Sequence, residues 1–325
     1  MAEAVPVWVL LGQRAGDNNQ LLRLAAELGL PFRTLELRYN LLHLLPPALL
    51  GASLASLDSG SRNLISSPWP QLVLGIGHRS VPVALAIRKL SGGKSKLVRL
   101  GNPRLDPARL DLVITTPQYA VRDAPSVLRL PVGISTAPKL DPTPEERDWL
   151  GKLTRPHRLL LLGGETFMWT LGPSQVVPAV STLKEKPGSI VAVTSGRSSA
   201  AMVDAVAATL AGMEPGVVRG RFPRYPVLID DADEIYVTAD SVAMVSDAIA
   251  TGKPVGLIEP AKSPSGRLFY ALHKLGLPVP VRDIRRFWTG VRARGLAGTV
   301  DRPAAGRLDR DPLDLAITAV RKLVG

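Results

Sequence analysis

Residues 5–37 read VPVWVLLGQRAGDNNQLLRLAAELGLPFRTLEL, an apolar run, a polar stretch, a helical pattern and a second apolar run. Val5–Leu11 is apolar throughout, which is typical of a strand buried on both faces of a sheet. Gly12–Asn19 is polar and predicts a loop, and Gln20–Leu28 carries leucines at helical spacing. Phe32–Leu37 predicts a second strand. This order is a βαβ unit, whose two strands pair in parallel through a right-handed crossover.

Apolar runs and helical patterns go on alternating up to about residue 130. Four further apolar runs predict strands, and one helical pattern lies among them. Because strands that alternate with helices are typical of doubly wound parallel sheets, residues 1–135 predict a first Rossmann-like domain. The strands are expected at Leu72–Ile76, Lys96–Leu100, Leu112–Thr115 and Val127–Leu130, and the helix at Val81–Leu90.

Residues 136–156 interrupt this alternation with four prolines and a charged run at 145–148. Such a composition is typical of a linker, here with one short helix. The alternation then restarts, so residues 157–325 predict a second Rossmann-like domain, whose terminal helix is also compatible with packing back on the first. Its strands are expected at Arg158–Leu162, Ser189–Thr194, Ile235–Thr238 and Val255–Ile258, and its helices at Val177–Leu183, Ser199–Leu210, Val242–Thr251, Leu268–Leu275 and Leu313–Leu323.

The composition limits the classes of partner and cofactor. A formal net charge of +12 favours anionic partners, such as phosphates, nucleotides, nucleic acid or anionic lipid. No nucleic-acid partner is expected, because the chain has no recognisable reading motif and no basic strand interleaved with aromatic residues. The absence of cysteine excludes disulfides, thiolate catalysis and cysteine-ligated metals. The four histidines are not spaced as metal ligands, so no metal site is expected.

The sequence also predicts where in the cell the protein is located. No apolar run reaches the roughly 18–20 residues that a membrane-spanning helix needs. Met1–Leu11 carries Glu3 and no basic segment, so it predicts a strand rather than a signal peptide. A cytoplasmic protein is therefore expected. An arginine cluster at residues 282–294, around Phe287 and Trp288, offers a peripheral contact with anionic membrane, and a solvated surface is the alternative interpretation.

Ligands of open parallel sheets bind beyond the carboxyl ends of the strands, and Asp233–Pro254 places a strand, a turn and a helix there. Asp240 or Ser241 can cap the helix, and the free N–H groups of its first turn suit a phosphate. Asp247 lies two turns along, projects away from the apolar stripe and can bind ribose hydroxyls. The alternative is an ordinary capped helix with a solvated aspartate.

Two other loops follow strands of the second half. Gly163 and Gly164 allow the backbone to approach a diphosphate, or else form a tight turn. In the loop after the next strand, Arg197 can hold a phosphate, and Ser198 or Ser199 can cap the following helix. The predicted donor-binding residues are therefore Gly163, Gly164, Thr194, Ser195, Arg197, Asp240, Ser241 and Asp247.

The loops of the first half are polar and predict an acceptor site. Gly12–Asn19 lacks the GxGxxG of dinucleotide sites, but its hydrogen-bonding side chains suit a sugar, with a solvated loop as the alternative. Asp17 can act as a general base, and His78 competes for this role, although a lone histidine can also be structural. LSGGKS at 90–95 is no Walker A motif, because Arg88 stands where glycine is required. The predicted acceptor-binding residues are Gln13, Arg14, Asn18, Asn19, Asn102 and Arg104.

Four stretches carry a resemblance to a known family. Residues 237–255, VTADSVAMVSDAIATGKPV, resemble the signature of the mitochondrial-fission (elongated-mitochondria) protein family and its bacterial relatives. Residues 16–20 (GDNNQ), 101–104 (GNPR) and 111–119 (DLVITTPQY) are similar to the same family. The resemblance implies a GT-B-type glycosyltransferase architecture, which is α/β with two facing Rossmann-like domains, parallel sheets and the donor nucleotide on the C-terminal domain.

For activity, the resemblance implies two alternatives. Plant members of the family are associated with recruiting the fission dynamin to mitochondria, while bacterial members look like glycosyltransferases. Two positions depart from the family pattern, since Asp247 stands where glutamate is expected and Gly196 where a second basic residue is expected. We expect a metal-independent glycosyltransferase that acts in the inter-domain cleft. Its partners are a nucleotide diphosphate-sugar, as substrate rather than cofactor, and a polar or lipid-linked acceptor. The alternative is a non-catalytic scaffold or recruitment protein on the same fold.

Overall fold

The fold comes from a computed structural model, which describes residues 6–12, 15–135, 139–213, 215–218, 222–277, 279 and 282–324. The chain divides into two units. The first consists of Met1–Thr136 together with Arg310–Gly325, and the second of Ala137–Asp309.

The first unit is built on a parallel sheet that contains six strands in the described part of the chain. The strand order is β2-β1-β3-β4-β5-β6, so the chain crosses over from the second strand to the other side of the first. The strands are β1 (Val7–Leu11), β2 (Phe32–Glu36), β3 (Leu72–Ile76), β4 (Lys96–Leu100), β5 (Leu112–Thr115) and β6 (Val127–Arg129), and the helices are α1 (Ala15–Glu27), α2 (Pro47–Leu50), α3 (Ser59–Asn63) and α4 (Val81–Leu90).

Both faces of this sheet are covered, which explains its continuous apolar strands. Alternate side chains of a strand point to opposite faces. Val9 of β1 accordingly packs with Leu24 of α1, whereas Trp8 packs with Ile87 of α4 on the other face. The parallel sheet predicted from the sequence is therefore confirmed, with β3, β4 and β5 at the predicted bounds.

Helix α1 begins at Ala15, so the prediction of a loop over all of Gly12–Asn19 is wrong. The Asn18 side chain lies within the helix and pairs with Gly12, donating to its carbonyl oxygen and accepting from its N–H, both at 2.9 Å. Asp17 stands in the first turn, where a negative charge stabilises the helix dipole. Polar residues that build a helix start have the composition of a loop, which explains the error.

The second unit contains another parallel sheet, with the order β10-β9-β7-β11-β12-β14 among its described residues. Its strands are β7 (His157–Leu162), β9 (Ser189–Thr194), β10 (Gly216–Val218), β11 (Glu234–Thr238), β12 (Val255–Ile258) and β14 (Gly298–Thr299), and an antiparallel pair joins β8 (Trp169–Thr170) to β13 (Ala261–Lys262). The helices are α5 (Pro144–Leu150), α6 (Pro173–Lys184), α7 (Ala200–Thr209), α8 (Tyr225–Asp231), α9 (Val242–Ala250), α10 (Pro264–Lys274) and α11 (Ile284–Ala293).

The last helix, α12 (Pro312–Val324), packs on the sheet of the first unit. Leu313, Ala316 and Val320 are buried in the same apolar cluster as α1 and β4. Arg321 also donates hydrogen bonds to the carbonyl oxygens of Glu27 and Leu28, at the end of α1. The first unit is thus formed by two separate pieces of chain.

The segment predicted as a linker is folded against the second unit from residue 139 onward. Thr143 and Glu146 form a capping box at the start of α5, each side chain bonding the other's backbone N–H. The Glu146 carboxylate is buried and accepts hydrogen bonds from the Arg224 guanidinium, with Nη2 at 2.6 Å from Oε2 and Nε at 2.9 Å from Oε1. This ion pair anchors α5 to the N-terminus of α8.

The Glu146–Arg224 pair predicts an acid-sensitive contribution to stability. The hydrogen bonds from Arg224 hold the pKa of the Glu146 carboxyl at about 2, below its ordinary value of 4.5. Since the folded-state pKa is lowered, the contribution is present above pH 4.5 and is lost as the pH falls toward 2. We expect Glu146→Gln to lower the melting temperature at neutral pH. The difference in melting temperature between the variant and the unaltered protein should shrink as the pH falls from 4.5 toward 2.

Glu145→Gln is the matched control for this measurement, because Glu145 is exposed on the same helix turn. Melting curves of both variants at several pH values give the comparison. Equal effects of the two substitutions, or a Glu146→Gln effect that does not change with pH, would contradict this assignment.

Candidate functional site

Three loops of the second unit meet at one edge of its sheet. Strands β9, β7 and β11 are neighbours in that order, and parallel strands bring their carboxyl ends together. The loops that follow them contain Ser195–Arg197, Gly163–Gly164 and Asp240–Ser241 respectively, and Thr194 is the last residue of β9. The donor-binding residues predicted from these loops therefore lie close together.

Gly163 and Gly164 are glycines because the neighbouring groups leave no room for a side chain. A Cβ on Gly163 would lie 2.1 Å from Asp240 Oδ1, and a Cβ on Gly164 would lie 1.9 Å from the carbonyl oxygen of Arg197. The Gly163 N–H donates to Thr238 Oγ1 at 2.7 Å. The two glycines thus place the backbone after β7 directly against the other two loops.

Asp240 joins the same two loops through its buried carboxylate. Its Oδ2 accepts from the Gly164 N–H at 3.1 Å and from Arg197 Nη2 at 2.8 Å. Arg197 also donates from Nη1 to the carbonyl oxygen of Gly164 at 3.2 Å, and 45% of its side chain stays exposed. Arg197 is therefore held in one orientation, with nearly half of its side chain exposed.

Ser198 ties the loop after β9 to the loop after β7. Its hydroxyl lies 2.7 Å from the carbonyl oxygen of Gly163 and accepts from the Ser195 N–H at 3.0 Å. Ser199, rather than Ser198, caps α7, because its Oγ accepts from the Met202 N–H. From the sequence, Ser198 was expected only as a cap, and its part in joining the loops was missed.

Helix α9 begins at Val242, and Ser241 is its N-cap, since Ser241 Oγ accepts from the Met244 N–H. Asp240 precedes the cap. Asp247 is only 5% exposed, so the alternative interpretation, a solvated aspartate, is wrong, and the ribose role stays a prediction. Its Oδ2 accepts from the Tyr225 hydroxyl at 3.3 Å. Desolvation, and then the nearby Asp247 charge, raises the pKa of Tyr225, which keeps this hydroxyl protonated as a donor.

In the first unit, β3 and β4 are neighbours, and the Gly77 N–H donates to the carbonyl oxygen of Leu100 at 2.8 Å. The loops that carry His78 and Asn102 therefore follow adjacent strands. Asn102 Oδ1 accepts from the Arg104 N–H at 2.8 Å, and Arg104 has a φ of 49°.

The other residues predicted on the acceptor side are spread along the start of α1. Asp17 is half-buried in its first turn and Asn19 is exposed on it. Both polar groups of the Asn18 side chain already bond Gly12. Gln13 and Arg14 lie outside the described residues.

His78 lies in a strongly cationic environment. Burial, followed by the charges of Arg104, Arg79 and Arg99, lowers its pKa to about 4. The imidazole is consequently neutral at pH 7 and accepts a proton weakly, whereas an efficient general base has a pKa near the operating pH. Its role as a base stays a prediction, as does that of Asp17.

The profile of the family described as Mitochondrial fission ELM1 matches residues 15–313. The chain belongs to this family. The matched range includes all the predicted site residues except Gln13 and Arg14, which precede it. A comparison with curated proteins finds no match.

Several solved structures are similar to this ELM1-family protein over nearly its whole length. UDP-N-acetylglucosamine 2-epimerase from Rickettsia bellii has a TM-score of 0.52 at 13% identity, covering 99% of this chain and 96% of its own. The corresponding epimerase from Neisseria meningitidis, bound to UDP-GlcNAc, gives 0.51 at 12%, covering 98% and 99%. A glycosyltransferase from Rickettsia africae gives 0.51 at 11%, covering 98% and 97%. With the two parallel sheets, these neighbours identify the fold class as GT-B.

The arginine cluster of this ELM1-family protein lies on and around α11. Phe287 and Trp288 are buried, and Trp288 packs edge-on against Trp169 with ring centroids 5.4 Å apart. Arg285 pairs with Asp283 at 2.9 Å. The aromatic residues of the cluster therefore belong to the interior.

Two features are absent from the residues that the structure describes. No helix in that part of the chain combines the length and hydropathy needed to cross a bilayer. Across the same residues, no three histidine, cysteine, aspartate or glutamate side chains are grouped to hold a metal ion.

Proposed function

We propose that this protein is a nucleotide-sugar-dependent glycosyltransferase whose second unit binds the donor. The observation that carries the proposal is the arrangement of Arg197, which Asp240 orients beside the glycine backbone at the carboxyl edge of the sheet. The Neisseria meningitidis epimerase of the same fold holds UDP-GlcNAc. That neighbour supports a nucleoside diphosphate-sugar as the class of ligand.

The donor is proposed to bind with its diphosphate over the loops after β7 and β9. The exposed part of Arg197 donates charge-assisted hydrogen bonds to phosphate oxygens. The N-terminus of α9 adds N–H groups and the positive end of the helix dipole. Asp247 supplies a carboxylate for the ribose hydroxyls, and Tyr225 holds that carboxylate in place.

Transfer joins an acceptor hydroxyl oxygen to the anomeric carbon while the bond from that carbon to the diphosphate breaks. The hydroxyl proton goes to a base, for which Asp17 and His78 are the candidates, and the nucleoside diphosphate leaves with the bonding electrons. In the metal-independent form proposed here, Arg197 and the helix N-terminus stabilise the leaving diphosphate. The acceptor is proposed to bind at the loops of the first unit.

A non-catalytic recruitment protein is the second candidate function. The observation in its favour is membership of a family described by mitochondrial fission rather than by sugar transfer. Since one fold supports unrelated functions, the fold does not decide between the two. The change in melting temperature on adding nucleotides distinguishes the two functions.

Nucleoside diphosphates are expected to raise the melting temperature of the protein, because a ligand that binds only the folded state stabilises it. At a concentration about 100 times its dissociation constant, the gain is about 2.7 kcal/mol. Arg197→Ala is expected to remove most of the shift. Thermal melts with millimolar uridine, guanosine, adenosine, cytidine and thymidine diphosphates measure it.

Arg267→Ala is the control, since Arg267 is an exposed arginine on α10 of the same unit. It should keep the full response. If none of the nucleotides shifts the melting temperature, the scaffold function stands instead. If Arg197→Ala and the control respond alike, the nucleotide binds elsewhere.

A further inference from the structure

Arg99 is an arginine in the middle of an apolar strand, and its side chain is completely buried. Its Nη2 donates to the carbonyl oxygens of Ile76 and Gly77 and to Ser80 Oγ, at 3.1, 2.9 and 2.7 Å. Nε and Nη1 have no hydrogen-bond partner among the described residues. The guanidinium therefore lies directly beneath the loop that leads into α4.

The sheet makes room for this side chain. Gly75 of β3 is paired in register with Arg99 of β4, and a Cβ on Gly75 would lie 1.7 Å from Arg99 Nη1. The ionisable hydroxyl of Tyr39 is also near Arg99. Burial raises the pKa of Tyr39, so this hydroxyl stays neutral and does not offset the charge of the arginine. Arg99 makes no salt bridge in the described part of the chain, and burying an unpaired cation is costly.

Two more arginine charges lie near the same loop. The charges of Arg79 and Arg104 both act on His78, which stands between the strand end and α4. Arg104 is exposed, has no ion pair among the described residues, and is held in a left-handed backbone conformation by Asn102. Like charges repel one another, so an anion bound among these arginines would offset their repulsion.

Helix α4 adds its N-terminus to this arrangement. It spans ten residues from Val81, and its N-cap residue Ser80 makes no capping hydrogen bond, while its hydroxyl accepts from Arg99. The positive end of the helix dipole thus points at the loop that Arg99 supports from below and that Arg104 approaches from the neighbouring strand end.

We propose that the loops after β3 and β4 form an oxyanion site for a phosphate group, with Arg104 as the accessible ligand and Arg99 as the buried cation beneath it. Its place in the reaction rests on the proposed function: the site binds a phosphate of the acceptor, which makes the acceptor a phosphorylated molecule rather than a neutral sugar. The site itself requires only the residues of the first unit.

Inorganic phosphate is the first probe, measured by titration with the full chain. Arg104→Ala is expected to weaken phosphate binding by roughly tenfold or more, the effect of one charge-assisted hydrogen bond. Arg109→Ala is the control, because Arg109 is an exposed arginine just before β5, at the amino edge of the same sheet. It should bind phosphate as the unaltered protein does. Equal affinities of the two variants would overturn the proposal.

A second arm identifies the source of the phosphate. Phosphatidylcholine vesicles containing phosphatidic acid are tested for co-flotation, and glucose 1-phosphate is tested by titration. Binding to vesicles that is lost in Arg104→Ala supports a lipid acceptor, and loss confined to the sugar phosphate supports a soluble one. Loss of phosphate binding in Arg197→Ala, with Arg104→Ala unaffected, would assign the anion to the second unit and overturn the proposal.

These measurements also test the oxyanion site independently of the proposed function. If uridine diphosphate never stabilises the protein while phosphate binding still depends on Arg104, the glycosyltransferase assignment fails and the oxyanion site stands. The reverse result would leave the donor site in place and remove the phosphorylated acceptor.

Discussion

Gly164→Ala is expected to destabilise the second unit by about 1–3 kcal/mol and to abolish its nucleotide response, because overpacking against fixed groups costs this much. The added Cβ would lie 1.9 Å from the carbonyl oxygen of Arg197. That oxygen belongs to the backbone and cannot move as a side-chain tip does. Relief requires the loop after β9 to shift, and with it the guanidinium that Asp240 holds.

Gly196→Ala is the matched control in the neighbouring loop. Nothing lies within 4 Å of a Cβ at Gly196, and its backbone φ is not in the left-handed region. Chemical denaturation gives the stability of both variants, and melting with uridine diphosphate gives the nucleotide response. The account of this loop pair is wrong if Gly164→Ala is as stable as Gly196→Ala.

Asp247→Ala is expected to weaken nucleotide binding by about tenfold to a hundredfold, the effect of losing a charged hydrogen bond to ribose. Because Asp247 is buried, the substitution should also cost about 1–3 kcal/mol of stability by leaving its partners unsatisfied. A stability loss alone therefore does not establish the ribose role, and affinity has to be measured by titration under conditions where the variant is folded.

Tyr225→Phe separates the two effects. It removes the hydroxyl that donates to Asp247 Oδ2 but keeps the carboxylate. We expect a stability loss of about 1 kcal/mol with nucleotide affinity changed only slightly. If Asp247→Ala and Tyr225→Phe both lose stability and neither loses affinity, Asp247 is a structural residue of α9 and the donor ribose binds elsewhere.

The alternation of strands and helices could be predicted from the sequence because both sheets are covered on each face. Strands such as Leu72–Ile76 and Leu112–Thr115 are continuous apolar runs with sharp ends, so their bounds could be predicted. The loops at their carboxyl ends could then be identified as well. The shared edge of β9, β7 and β11 follows from strand order, which apolar patterns alone do not contain.

The burial of residues at the site depends on helices and strands whose sequence patterns are weak. The burial of Asp247 could not be predicted because α8, which supplies Tyr225, is short and was not predicted. Arg99 was missed for a related reason. Its signal is Gly75, which only matters once the register of β3 and β4 is known. Sequence patterns therefore predict the burial of polar side chains poorly.

The return of α12 to the first sheet has a consequence for how the chain becomes a folded protein. Residues 310–324 emerge from the ribosome after the whole of the second unit. Until then, the apolar surface of β4 and α1 that receives Leu313 and Val320 stays uncovered. The second unit can complete its contacts first, while the unit that begins the chain has to wait.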